Sequence, residues 1–111
     1  MSINKEATKA NITNLLKEKS LVKCSSVRVI DLFDEGILFL NNAPQNRYSA
    51  NSTTMAVWDL IDGNRTSKEI AREIALVGEV NVIEIEDDIY ELLASLRKLG
   101  FIEDVKKTTN T

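Results

Sequence analysis

The chain has 111 residues, 43% hydrophobic and 28% charged, a size that suits one domain able to bury roughly two-thirds of its unfolded surface. Seventeen acidic side chains against 14 basic ones leave a net charge of -3, an average field that repels nucleic acid and anionic membranes. There is no histidine and one cysteine, Cys24, which removes the commonest general base and excludes both an intrachain disulfide and a cysteine metal cluster.

In chain order, "MSINKEATKANITNLL" lacks the continuous apolar region of a signal peptide, and no apolar run approaches the roughly 18 residues of a membrane span. A soluble, cytoplasmic protein without a membrane partner is expected. Residues 1–24 read as an N-terminal extension, in which Ala7, Ile12, Leu15 and Leu16 with several lysines sketch a weak amphipathic helix. Residues 25–105 form the domain. "VRVIDLF" and "ILFL" flank Gly36 and predict paired strands over 27–33 and 36–42, with the glycine at positive φ in the hairpin. Pro44, in the polar cluster "NNAPQN", predicts a further turn before a short, polar edge strand, "RYSA" at 47–50.

Three helices follow. The first starts after Asn51 or Ser52, either able to cap it, and runs through "MAVWDLI" to Gly63. The second starts at Thr66, where "TSKE" is a capping box, continues through Ile70, Ile74 and Val77, and is stopped by Gly78. The third repeats the device in "NVIE" and carries Val82, Ile85, Ile89, Leu92, Leu96 and Leu99 at three- and four-residue steps. Its acids gather at the N-terminal end, Arg97 and Lys98 occupy the last turn as the helix dipole favours, and Gly100 terminates it. The tail "KKTTNT", residues 106–111, has nothing to bury and is expected to be mobile.

A search for chemistry finds little. No glycine-rich phosphate loop is present, and Cys24 has no histidine partner, so it reads as a small hydrophobe or an incidental thiol. The run "EIEDD", residues 84–88, points around a helix axis without the ligand spacing of a calcium loop and reads as a solvated face. Trp58, Met55 and Ile61 form an apolar stripe whose use is core packing. No catalytic residue, metal ligand or cofactor is therefore expected.

Surface recognition remains. Three antiparallel strands followed by a three-helix bundle give an α+β, winged helix-turn-helix-like fold. In that fold the third helix would enter the DNA major groove, but its N-terminal half carries Glu84, Glu86, Asp87, Asp88 and Glu91 and no cation before Arg97. Lys68 and Arg72 on the second helix do not reverse the balance, so nucleic acid is disfavoured. The same architecture can instead accept an extended peptide at the open edge of its third strand. Beside the core stripe of the third helix, Tyr90, Leu93 and Arg97 form a second stripe. It reads either as core margin with two surface residues or as one wall of a peptide groove.

The stretches "ANSTTMAVWDLIDGNRTSKEIAREI" and "DIYELLASLRKLGFIE" resemble the PqqD-like family, the peptide-recognition domains of ribosomally made peptide pathways, over about residues 27–104. The chain departs from the family pattern at Ala50, where a large aliphatic is common, and at Ser52, often acidic. The resemblance implies three strands and three helices, no catalytic activity, and binding of a precursor's leader segment as an added strand against strand 3 and helix 3. It also implies delivery of that precursor to a modifying enzyme, often a radical SAM protein. Carried onto this chain, the backbone of Arg47, Tyr48 and Ser49 would pair with the leader and Tyr90, Leu93 and Arg97 would line its groove, with Arg97 able to meet an acidic leader residue. A winged-helix DNA-binding transcriptional regulator is the alternative, and an interaction module in an unrelated complex a third reading. A free strand edge could also pair with a second copy to give a homodimer.

Overall fold

The structure, a computed structural model, describes residues 19–105; the expected amphipathic stretch before residue 19 and the tail 106–111 lie outside them. Among the described residues five strands and three helices follow one another: β1 (Leu21–Lys23), β2 (Val27–Leu32), β3 (Glu35–Leu40), β4 (Ala43–Ala50), α1 (Ser52–Leu60), α2 (Ser67–Gly78), α3 (Val82–Lys98) and β5 (Ile102–Asp104). The α+β architecture is as expected: a three-stranded antiparallel sheet in the order β2-β3-β4 precedes three helices. A second, two-stranded sheet joins β1 to β5.

That second sheet corrects the boundary at residue 24. Leu21 is fully buried, its N–H donates to the Arg65 carbonyl at 3.0 Å, and its own carbonyl accepts the Gly63 N–H at 2.8 Å. β1 is thus held between β5 and the turn joining α1 to α2. Three residues are too few to show alternation, so nothing in "LVK" marked it as a strand.

The β2–β3 hairpin forms at the expected place by a different device. Leu32 pairs with Glu35, leaving Phe33 and Asp34 as the turn, and the positive φ falls on Phe33 at 67°. Gly36 lies inside β3. A Cβ there would come within 2.7 Å of Met55 Sδ and 3.1 Å of the Ile30 carbonyl, so the glycine lets α1 approach the sheet. Pro44 likewise lies within a strand, because the chain turns at Asn41 and Asn42 and β4 begins at Ala43. Proline is tolerated on this edge strand, where an N–H need not join the ladder.

Caps delimit the helices. Asn51 Oδ1 accepts from Thr54 N–H at 2.8 Å, and α1 ends at Leu60, ahead of Gly63. In the following turn the Asn64 N–H bond holds the Asp62 carboxyl below the usual carboxylate range, with Arg65 adding to the effect against some burial. Thr66 and Glu69 close the full capping box, with bonds of 3.1 and 3.0 Å. At α3 the box does not close: Asn81 Oδ1 accepts from Ile83 N–H at 3.0 Å and Glu84 does not reach back. The left-handed residue after α2 is Glu79, φ 54°, one position beyond Gly78.

α3 ends in a Schellman motif. Gly100, at φ 80°, donates to the Arg97 carbonyl at 3.0 Å, and Phe101 N–H to that of Leu96 at 2.9 Å. The reversal drives Phe101 and Ile102 into the core, where Leu38, Val57, Trp58, Ile61, Ile70, Ile89 and Leu96 are also buried. Each such side chain contributes about 1.5–3 kcal/mol of burial free energy.

Candidate functional site

β4 forms one margin of the three-stranded sheet, and the ladder's parity shows which of its groups face outward. Asn41 N–H donates to the Ser26 carbonyl at 2.7 Å, which makes Ser26 and Asn41 a hydrogen-bonded pair. Strict alternation through the β2–β3 register then gives Ile30 and Ile37 the same status, so Leu38 directs its N–H and C=O toward β4. Tyr48, opposite Leu38, bonds inward. Ser49, opposite Ile37, presents its N–H and C=O on the outer edge.

Below Tyr48 the edge is interrupted. Leu38 pairs with Tyr48 but Leu40 pairs with Ala43, so Phe39 alone stands opposite Pro44, Gln45, Asn46 and Arg47. Arg47 folds back on this bulge, its Nε donating to the Pro44 carbonyl at 3.2 Å and its guanidinium lying 5.2 Å over the Phe39 ring. Beside the bulge lies a cavity of about 420 Å³, bounded by Leu40, Gln45, Asn46, Arg47, Tyr48, Leu99 and Phe101. Tyr48 meets Phe101 edge-on, with ring centroids 6.3 Å apart.

Of the six residues singled out in the sequence, Arg47, Tyr48 and Ser49 lie together on this edge. The three on α3 lie elsewhere. Leu93 is 2% exposed and part of the core. Arg97 Nη2 pairs with Asp104 Oδ1 of β5 at 2.8 Å. Burial raises the Tyr90 phenol pKa, Glu86 and Asp87 add to the rise, and Arg72 of α2 opposes it, which puts Tyr90 on the flank turned to α2. Residues seven apart share a helix flank, so Tyr90 and Arg97 face α2 and β5, while Leu92 and Leu99 share the opposite flank. Leu99, the C-cap of α3 and 43% exposed, bounds the cavity beside β4.

Leu99 and Phe101 were missed as site residues. A signal for them exists in "LGF": a glycine at the left-handed position stops the helix at Leu99 and folds the next apolar residue back, leaving one at the rim and one beneath it. Among the described residues no three His, Cys, Asp or Glu side chains stand close enough to hold a metal ion, and no helix is long and apolar enough to cross a membrane. Glu84, Asp87, Asp88 and Glu91 are exposed on α3, so its presentation to a phosphate backbone would meet like charge.

A small α+β domain with a strand edge open beside a cavity of mixed polar and apolar lining is a frame for recognising another chain in extended form. Residues 36–102 match the family described as Coenzyme PQQ synthesis protein D (PqqD), and the chain belongs to that family. No curated protein sequence matches it. Among solved structures it is similar to "TbiB1 in Complex with the TbiA(beta) Leader Peptide", with a TM-score of 0.66 and 17% identity, over 78% of this chain and 99% of that one; at that identity the likeness shows a shared fold.

Proposed function

We propose that this chain is a non-enzymatic recognition domain that binds the leader segment of a ribosomally made precursor peptide and presents it to a modifying enzyme, such as a radical SAM protein. The observation that carries the reading is the outward N–H and C=O of Ser49 beside the cavity floored by Leu40 and Phe101. Family membership and the leader peptide held by the structural neighbour support it. An extended leader adds to β4 along Tyr48 to Ala50, its backbone bonding Ser49, and leaves the ladder at the bulge, where an apolar side chain enters the cavity between Tyr48 and Leu99. Leu93 backs this wall from within the core, and Tyr90 and Arg97 hold α3 against α2 and β5. The chain itself makes and breaks no covalent bond, needs no cofactor or metal, and works in the cytoplasm, where precursor peptides are made.

An amide NMR titration with the leader of a precursor encoded beside the gene tests this. Shifts are expected at residues 46–50 and at Leu99 and Phe101; none at saturating peptide overturns the reading. Ser49→Pro removes one outward donor without touching the β3 ladder, since the N–H lost is not bonded to β3. Loss of one such bond is expected to weaken leader binding about fivefold to tenfold while the circular-dichroism melt shows the fold retained. Unchanged affinity in a folded Ser49→Pro variant rules out strand addition at this position.

A further inference from the structure

The face of the three-stranded sheet turned away from the helices carries two arginines. Val27, Leu38, Leu40 and Tyr48 pack toward the core, so by strand alternation Arg28, Ile30, Ile37 and Phe39 stand on the opposite, outer face. Arg28 pairs directly with Phe39 across β2 and β3, which sets the two side chains next to each other. From β4, Arg47 lays its guanidinium 5.2 Å over the same ring. Phe39 is thus bracketed by two exposed cations from different strands. Neither meets a carboxylate: among the described residues the ion pairs hold Arg65 to Asp62 and Glu73, and Arg97 to Asp104. Arg28 Nη1 donates to the Ser25 and Val27 carbonyls, each at 3.4 Å, and Arg47 Nε to that of Pro44, which leaves each guanidinium with further donors. On a chain of net charge -3, this pair makes a local positive field suited to an anionic side chain.

Ladder parity says which side chain of a bound peptide arrives there. The inference rests on leader binding along β4: a leader residue bonded to Ser49 shares that residue's face, which is the outer one because Ser49 pairs with Ile37. The next leader residue toward the bulge lies opposite Tyr48 and turns to the core side, where the cavity lies. The one after it returns to the outer face beside Arg47. We propose that this residue is an aspartate or glutamate held by Arg47, with Arg28 adding to the positive field across Phe39. The domain then selects leaders in which an outward acid stands next to an inward apolar side chain. Alternation is the same for either direction of the added strand, so the pattern does not depend on the leader's polarity. Arg97, the sequence-based candidate for an acidic contact, is held instead by Asp104.

The test is calorimetric titration of the full chain with a synthetic leader of the precursor encoded beside the gene, each Asp and Glu of the peptide replaced in turn by Asn or Gln. One acid is expected to matter, its amide form binding about threefold to fivefold more weakly. Arg47→Gln should lose the same factor while keeping its melting temperature, Arg47→Lys should retain most of the affinity, and Arg28→Gln should lose a smaller part. Against Arg47→Gln the amide peptide should lose nothing further, because the two changes remove one interaction. Added salt should weaken binding to the unaltered chain more than to Arg47→Gln. Fully additive losses overturn the inference. So does a leader whose acids can all be neutralised without effect while it still shifts the amides of residues 46–50, in which case strand addition stands and selection of an acid by Arg47 falls. A leader that shifts none of those amides overturns both.

Discussion

Glu79 shows how a single residue departs from its local rule. A left-handed residue after a helix favours glycine, because a Cβ there crowds the following carbonyl oxygen. Here glycine stands one position early, at Gly78, and Glu79 takes φ 54° while its N–H and that of Val80 bond the Leu76 and Ala75 carbonyls at 3.2 and 3.0 Å. Glu79→Gly is therefore expected to stabilise the fold by about 1 kcal/mol, a rise of roughly 4–8 °C in Tm for a domain of this size. Thermal denaturation followed by circular dichroism checks it, and an unchanged or lower Tm would mean the glutamate makes a compensating contact. Gly36 makes the converse point. It was legible as a special position, but its reason was not: the 2.7 Å approach of Met55 joins residues 19 apart in sequence.

Among the elements, α3 is the most legible along its length and the least legible around its axis. Its caps, length and charge gradient follow from local rules, and its bounds fall where the apolar periodicity predicts. The assignment of its flanks did not. Leu93, which reads from the sequence either as core margin or as groove wall, is core, and Leu99, expected in the core, is at the rim, because apolar residues at 92, 93, 96 and 99 fit more than one stripe and only the neighbours choose among them. The two leucines should accordingly respond differently. Leu93→Ala removes a buried side chain and is expected to cost about 2–5 kcal/mol. Leu99→Ala should cost under about 1 kcal/mol yet weaken leader binding, as measured by urea denaturation and by titration of the folded variant. Equal losses of stability would contradict the burial of Leu93 and the exposure of Leu99, and full affinity in Leu99→Ala would remove the α3 wall from the proposed site.

At the scale of the whole molecule, β1 and β5 tie the two ends of the described chain together, with Leu21 paired to Asp104 and Lys23 to Ile102. Lys23 Nζ also lies 5.1 Å from the Trp58 ring, so the closure touches the core's largest side chain. Leu21→Ala is thus expected to cost about 2–5 kcal/mol and to lower the urea midpoint of a single transition, with Trp58 fluorescence and far-ultraviolet circular dichroism changing together. A fluorescence change that precedes the loss of helix would show instead that β1 and β5 open on their own. Contacts within a few residues suffice for three capped helices, the β2–β3 hairpin, an α+β class and the family those elements spell out in order, and all of these could be read from the chain alone. Tertiary structure alone decided what depends on residues far apart in the chain. It decided the β1–β5 pairing, the glycine under Met55, the outward turn of the Ser49 backbone and the flank of α3 that meets the cavity, because sequence spacing fixes which residues share a face but not what that face is packed against.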